Sequence, residues 1–147
     1  MRITDFRKGN YVDVLLGEAG IKTRCEILDI NEGDCEAKFK DLGNDSEFIM
    51  DTADKWKLVN GVPTTDEELR KLGFSFDPEM SVFALPNKGA WVKDNVIVQK
   101  YKGTFDLLIS DVKPEAFYGC RAAIHVFFVH LLQNAVAQNL GVELKYT

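Results

Sequence analysis

The sequence predicts an α+β protein in two parts: a small N-terminal β-barrel over residues 1–60, and an α+β lobe over residues 61–147 with antiparallel strands and one long C-terminal helix. Three observations carry this. Residues 9–59 hold short runs in which apolar and charged side chains alternate, separated by Gly-, Asn- and Asp-rich turns, which is the period of two of half-buried strands. Asn60-Gly61-Val62-Pro63 joins a turn dipeptide to a proline that discourages helix in the residue before it. Residues 115–140 repeat apolar side chains at helical spacing, with Pro114 at the start and Gly141 at the exit.

Within the first part, Tyr11 to Leu16 follows the turn Gly9-Asn10. In Ile21 to Ile27 the apolar or small residues fall at odd positions and the charges at even ones. The alternation slips at Leu28 and Ile30, which predicts a bulge near Leu28, because one extra residue exchanges the two faces of a strand. Cys35 to Lys40, Ser46 to Met50 and Lys57 to Val59 supply three more strands. Five short strands, one of them bent, point to an SH3-like partly open barrel. In the second part, Thr64 or Thr65 caps a short helix whose first turn carries Asp66, Glu67 and Glu68 and whose exit is Gly73. Strands are predicted at Met80 to Leu85, Ala90 to Val92, Val96 to Tyr101 and Thr104 to Val112, with Lys102-Gly103 as a hairpin turn. The long helix, Glu115 to Leu140, shows two apolar stripes. Phe117, Cys120, Ile124, Phe127, Phe128, Leu131 and Ala135 form the one expected to face the core, and Val126, Val129, Leu132, Val136 and Leu140 form the other. A helix apolar on two sides must be covered on two sides, by its own strands or by a second copy, so a homo-dimer is one expectation.

With 46% hydrophobic and 28% charged residues in a chain of 147, the composition is that of a folded protein rather than a disordered one. No run reaches the ~18 apolar residues of a membrane span and the N-terminus lacks an apolar leader. Cys25, Cys35 and Cys120 are odd in number and widely spaced, which suits reduced thiols better than a disulfide framework. A cytoplasmic location and no membrane partner are the expectations. The net charge is −5: residues 1–60 carry 9 Lys/Arg against 13 Asp/Glu, and residues 61–147 carry 9 against 10. Neither half has the cationic excess that phosphate binding favours.

The residues that carry chemistry are few. His130, Gln133 and Asn134 place three hydrogen-bonding side chains inside an apolar helix, with His130 and Asn134 one turn apart. They are either a buried network that fixes the helix or the wall of a ligand or partner pocket. Lys22, Arg24, Lys38 and Lys40 occupy outward strand positions and give the alternative, a nucleic-acid-binding barrel, although Glu26 and Glu36 interrupt the patch. Asp106, Asp111 and Glu115 are carboxylates without a placed nucleophile, and Tyr11, Trp56 and Trp91 are aromatics for a core or a groove. No catalytic constellation, metal-ligand spacing or cofactor motif is present. The expected function is that of a non-enzymatic accessory or interaction module with a protein partner.

Three segments, Phe6-Arg7-Lys8-Gly9-Asn10-Tyr11-Val12, Thr65 to Phe74, and His130 to Leu144, together resemble an uncharacterised small-protein family of Bacteroidetes genomes, prophages and mobile elements. There the segments look like Leu-Arg-x-Gly-Asn-x-Val, Thr-Glu-Glu-x-Leu-x-Lys-x-Gly-Phe, and Val-His-x-Leu-Gln-Asn followed by Leu-Thr-Gly-x-Glu-Leu. Asn139-Leu140 replaces Leu-Thr here, and Arg70 stands at an often apolar position. The resemblance implies a two-part fold in a phage or mobile-element setting, and no activity.

Overall fold

A computed structural model describes residues 3–80, 89–101, 103–109 and 122–147. The chain is α+β and divides into two compact units, Met1–Val62 and Pro63–Thr147. Each is built on an antiparallel sheet of five strands.

Unit 1 contains β1 (Tyr11–Leu16), β2 (Ile21–Asn31), β3 (Glu36–Asp41), β4 (Glu47–Asp51) and β5 (Val59–Gly61), with 3-10 turns at Ile3–Asp5 and Trp56–Leu58. Its strand order is β4-β3-β2-β1-β5. The turn into β1 is closed from both sides. Asn10 Oδ1 accepts the Arg7 N–H at 2.8 Å, and the Gly9 N–H reaches the Ile27 carbonyl at 2.7 Å. Gly9 sits at φ 90°, a conformation that costs other residues steric strain. On β2 the register shifts between Ile27 and Asp29. Before that shift Cys25 and Ile27 face the core; after it Ile30 stands opposite buried Ala37, so the bulge at Leu28 exchanges the faces as the alternation predicts. The core gathers on Phe39, which stacks on Phe48 at 5.4 Å and meets Trp56 at 6.4 Å, while Trp56 takes Phe6 edge-on at 5.5 Å. The sheet does not close on itself: β4 and β5 are its two edges, so the closed part of a barrel is missing.

Unit 2 contains α1 (Asp66–Lys71), β6 (Ser75–Asp77), β7 (Ala90–Lys93), β8 (Val96–Tyr101), β9 (Thr104–Ile109), β10 (Ala122–His125) and α2 (Val129–Leu140), with sheet order β10-β9-β8-β7-β6. The short helix is set by its sequence. Thr65 Oγ1 accepts the Glu68 N–H at 3.2 Å. Beyond the last turn Gly73, at φ 89°, lets the Phe74 N–H return to the Leu69 carbonyl at 3.1 Å, with Leu69, Leu72 and Phe74 all buried. Its remaining carbonyls are also taken. Lys93 Nζ donates to the Leu72 carbonyl at 2.8 Å, and the Thr147 N–H donates to that of Lys71 at 2.8 Å.

The long helix is a correction. Ala122–His125 is a strand paired antiparallel with β9, and the helix starts at Val129. Residues 115–121, with the Phe117 and Cys120 positions of the expected stripe, lie outside the described residues, as do Asp111, Glu115 and most of the strand expected at Met80 to Leu85. The reason is that Ala122 to Phe128 is too short an apolar run for its period to decide, and tertiary pairing overrides the helix preference of its alanines. Burial is uneven along both expected stripes, with Ala135 of the first buried. Val129, Leu132 and Val136 are fully buried, whereas Phe127 is 53% exposed and Leu131 half-buried. Among the described residues, the two stripes that suggested a homo-dimer are divided between the Ala122–His125 strand, the residues after it and α2.

Candidate functional site

Among the described residues, β4 pairs only with β3 and so forms one edge of the sheet of unit 1. The Asp41 N–H donates to the Ser46 carbonyl at 2.8 Å and the Thr52 N–H to the Cys35 carbonyl at 2.7 Å, at opposite ends of the β3–β4 ladder. Antiparallel pairing alternates, so Phe39/Phe48 and Ala37/Met50 are the bonded pairs between them, and the backbone groups of Glu47, Ile49 and Asp51 point away from β3. The Asp51 carbonyl accepts the Lys55 N–H at 3.2 Å.

The same three residues put their side chains on the solvent face, because Phe48 and Met50 turn inward. Ile49 is 63% exposed. Asp51 faces Glu36 directly across the ladder, two exposed carboxylates in register, an arrangement that destabilises a sheet. Glu47 pairs with Lys38 at 3.0 Å. Residues 32–55 carry eight Asp/Glu against three Lys, so the surroundings of this edge are acidic. Sequence reasoning passed over Glu47, Ile49 and Asp51. The signal was available: an isoleucine with carboxylates two residues to either side shares their face in a strand, and that face is the wet one.

The residues that sequence reasoning did single out are held inside or neutralised. His130 is 1% exposed and stacks on Phe128 at 5.7 Å between ring centres. Gln133, also buried, donates from Nε2 to the Leu144 carbonyl at 3.0 Å, tying the chain after Gly141 back onto α2. Asn134 is half-buried. Tyr11, Trp56 and Trp91 are all buried; Trp91 Nε1 donates to Asp66 Oδ1 at 3.1 Å. The four cations share the outer face of β2 and β3, and each has a carboxylate. Arg24 Nε lies 2.6 Å from buried Asp13, Lys22 3.8 Å from the same group, Lys38 3.0 Å from Glu47 and Lys40 3.5 Å from Asp45.

Three other features lie outside the β4 edge. A cavity of ≈ 200 Å³ lies in unit 2, walled by Lys93 to Val96 on one side and by Leu140, Val142 and Leu144 on the other. His130 and Gln133 do not line it. Its one lysine is already bonded to the Leu72 carbonyl, so the cavity offers mostly apolar contact. Asp106 contacts exposed His125 through Oδ1 and Nδ1, not His130. Cys25 is buried, and desolvation, then the charges of Asp41 and Asp13, push its thiol from 9.0 up to about 12 against a smaller opposing effect of Arg24, so it stays protonated and unreactive. Among the described residues no group of His, Cys, Asp and Glu is arranged to hold a metal ion, and no helix is long and apolar enough to cross a membrane. Comparison with protein-family models, with curated proteins and with solved structures returns no match for this chain.

Proposed function

We propose that this chain is a non-enzymatic interaction module, in which an SH3-like partly open barrel receives an extended protein segment along β4. The observation that carries the reading is the β4 edge itself, with Ile49 exposed and the backbone groups beside it directed outward. An edge of this kind is what strand addition uses: main-chain hydrogen bonds hold the partner and alternate side chains select it. The barrel assignment is supported by the strand order, by the bend at Leu28, and by the 3-10 turn that leads into β5. The setting proposed is the cytoplasm, in an accessory role to a phage or mobile element. Nucleic-acid binding through Lys22, Arg24, Lys38 and Lys40 is the weaker reading, since every one of these cations already neighbours a carboxylate.

The test is an amide NMR titration of the whole protein with three blocked seven-residue peptides. The first is Thr-Lys-Thr-Val-Thr-Lys-Thr; the others replace both lysines by glutamine or by glutamate. Shifts centred on Glu47 to Asp51 with at least one peptide are the expected result. If no peptide moves these amides, and a single-stranded oligonucleotide at low salt shifts Lys22, Arg24, Lys38 and Lys40 instead, the strand-addition reading is wrong and the nucleic-acid reading replaces it.

A further inference from the structure

Resting on that reading, we infer that the β4 edge selects a basic partner strand, one whose outward face presents a cation, an apolar side chain and a second cation in alternate positions. The argument starts from the face Glu47, Ile49, Asp51. An added strand sets its side chains directly opposite these three, in either direction, since the acid–apolar–acid pattern is symmetric about Ile49. The partner must bring an apolar group to Ile49. At both flanks it must bring positive charge.

Two observations sharpen the requirement. Glu36 already stands opposite Asp51 within the sheet, so an acid or a neutral residue on the new strand leaves two carboxylates facing each other, while a cation beside Asp51 neutralises them. Glu47 has Lys38 at 3.0 Å, but both side chains are about half exposed and such a pair is held weakly, so an incoming cation shares the carboxylate with little loss. A second copy of this chain is excluded on the same grounds. Antiparallel pairing of two β4 strands centred on Ile49 sets Glu47 against Asp51 at both ends, acid against acid.

The three peptides decide it on the wild-type protein. The lysine peptide binds about tenfold tighter than the glutamate peptide at low ionic strength, with the glutamine peptide between them, and the difference shrinks as salt rises. Glu47→Lys with Asp51→Lys inverts the order. Ile49→Pro abolishes binding of all three while the β1–β3 amide spectrum is retained, because proline is tolerated where the N–H faces outward at an edge. Equal or tighter binding of the glutamate or glutamine peptide overturns the charge inference and leaves strand addition standing. Silence of β4 towards all three peptides overturns strand addition itself. A dimer seen by light scattering that Ile49→Pro dissociates shows that the edge is taken by a second copy, and ends the inference.

Discussion

The two sheets have the same number of strands and the same antiparallel pairing, but their edges are treated differently. In unit 2, β6 is three residues long and its Phe76, although 53% exposed, packs on Trp91 at 5.4 Å. Gly89 lies against the Phe76 ring so closely that a Cβ there would come within 2.6 Å of it. Short length is an ordinary way of blunting an edge, and the Phe76–Trp91 pair fastens β6 to β7. In unit 1, β4 is longer, and Ile49 stands out with a carboxylate two residues to either side and Lys38 opposite. On the reading proposed above, charge keeps such an edge from pairing with a copy of itself and admits a strand of opposite sign. The contrast teaches that an unmatched edge is informative where its protection is conditional on the partner.

The comparison breaks most easily at the inner face of the same strands. Phe39→Ala removes the ring on which Phe48 and Trp56 pack and is expected to destabilise unit 1 by about 3–5 kcal/mol, measured by urea unfolding followed through tryptophan fluorescence. If the loss is under about 1 kcal/mol, unit 1 is not organised around this residue and the inward assignment of its neighbours fails with it.

Next comes the thiol beside that core. Its folded value, pushed up to about 12, lies above the value of 9.0 for a free thiol, so the unfolded chain loses this proton first as pH rises. The stability due to Cys25 is therefore complete below pH 9.0 and declines between 9.0 and about 12, by at most about 1.4 kcal/mol per pH unit. Cys25→Ala removes this part of the slope in a Cys120→Ser background. In the same background one thiol, exposed Cys35, is alkylated at pH 8 in the native protein, and Cys25 only after unfolding. Rapid native labelling of Cys25 contradicts its burial.

Two smaller changes compare how the units tie their polar groups. Tyr146 donates its hydroxyl to buried Glu68 at 2.5 Å, so Tyr146→Phe removes one charge-assisted hydrogen bond from this carboxylate and costs about 1–3 kcal/mol. Asn10→Ala frees the Arg7 N–H and costs about 1 kcal/mol. Thermal unfolding of each variant checks both, and the reverse ranking would mean that the C-terminal residues do not hold α1.

Much of this was legible in the sequence where a local rule sufficed. The alternation in Ile21 to Ile27, its slip at Leu28, the Thr65 cap and the Gly73 exit depend on neighbours along the chain, and the structure places each as the pattern implies. Ala122 to Phe128 failed because its conformation is decided by pairing with Thr104–Ile109, which no local pattern states. Between the two readings offered for His130, Gln133 and Asn134, burial favours the internal network. His130 and Gln133 looked notable because they are polar within an apolar helix, but a polar group in such a place is most economically satisfied by the chain itself, as Gln133 is by Leu144. That β4 is an edge follows from the strand order of the whole sheet, so Ile49 could be read from sequence as outward, not as unpaired.

The smallest expected effect is also the one that separates edge from core most sharply. Ile49→Lys replaces an isoleucine that is mostly in water, one residue away from stacked Phe48 and buried Met50, and it sits opposite Lys38. Burial argues for a change within about 0.5 kcal/mol. The local charges oppose one another, since the new cation gains Glu47 and Asp51 but faces Lys38 across the ladder. Urea unfolding should therefore leave the midpoint almost unmoved, whereas Phe39→Ala on the neighbouring strand shifts it by several-fold more. A loss from Ile49→Lys comparable to the Phe39→Ala loss would mean that the isoleucine is covered in solution, and an edge that is covered has no place for a partner strand.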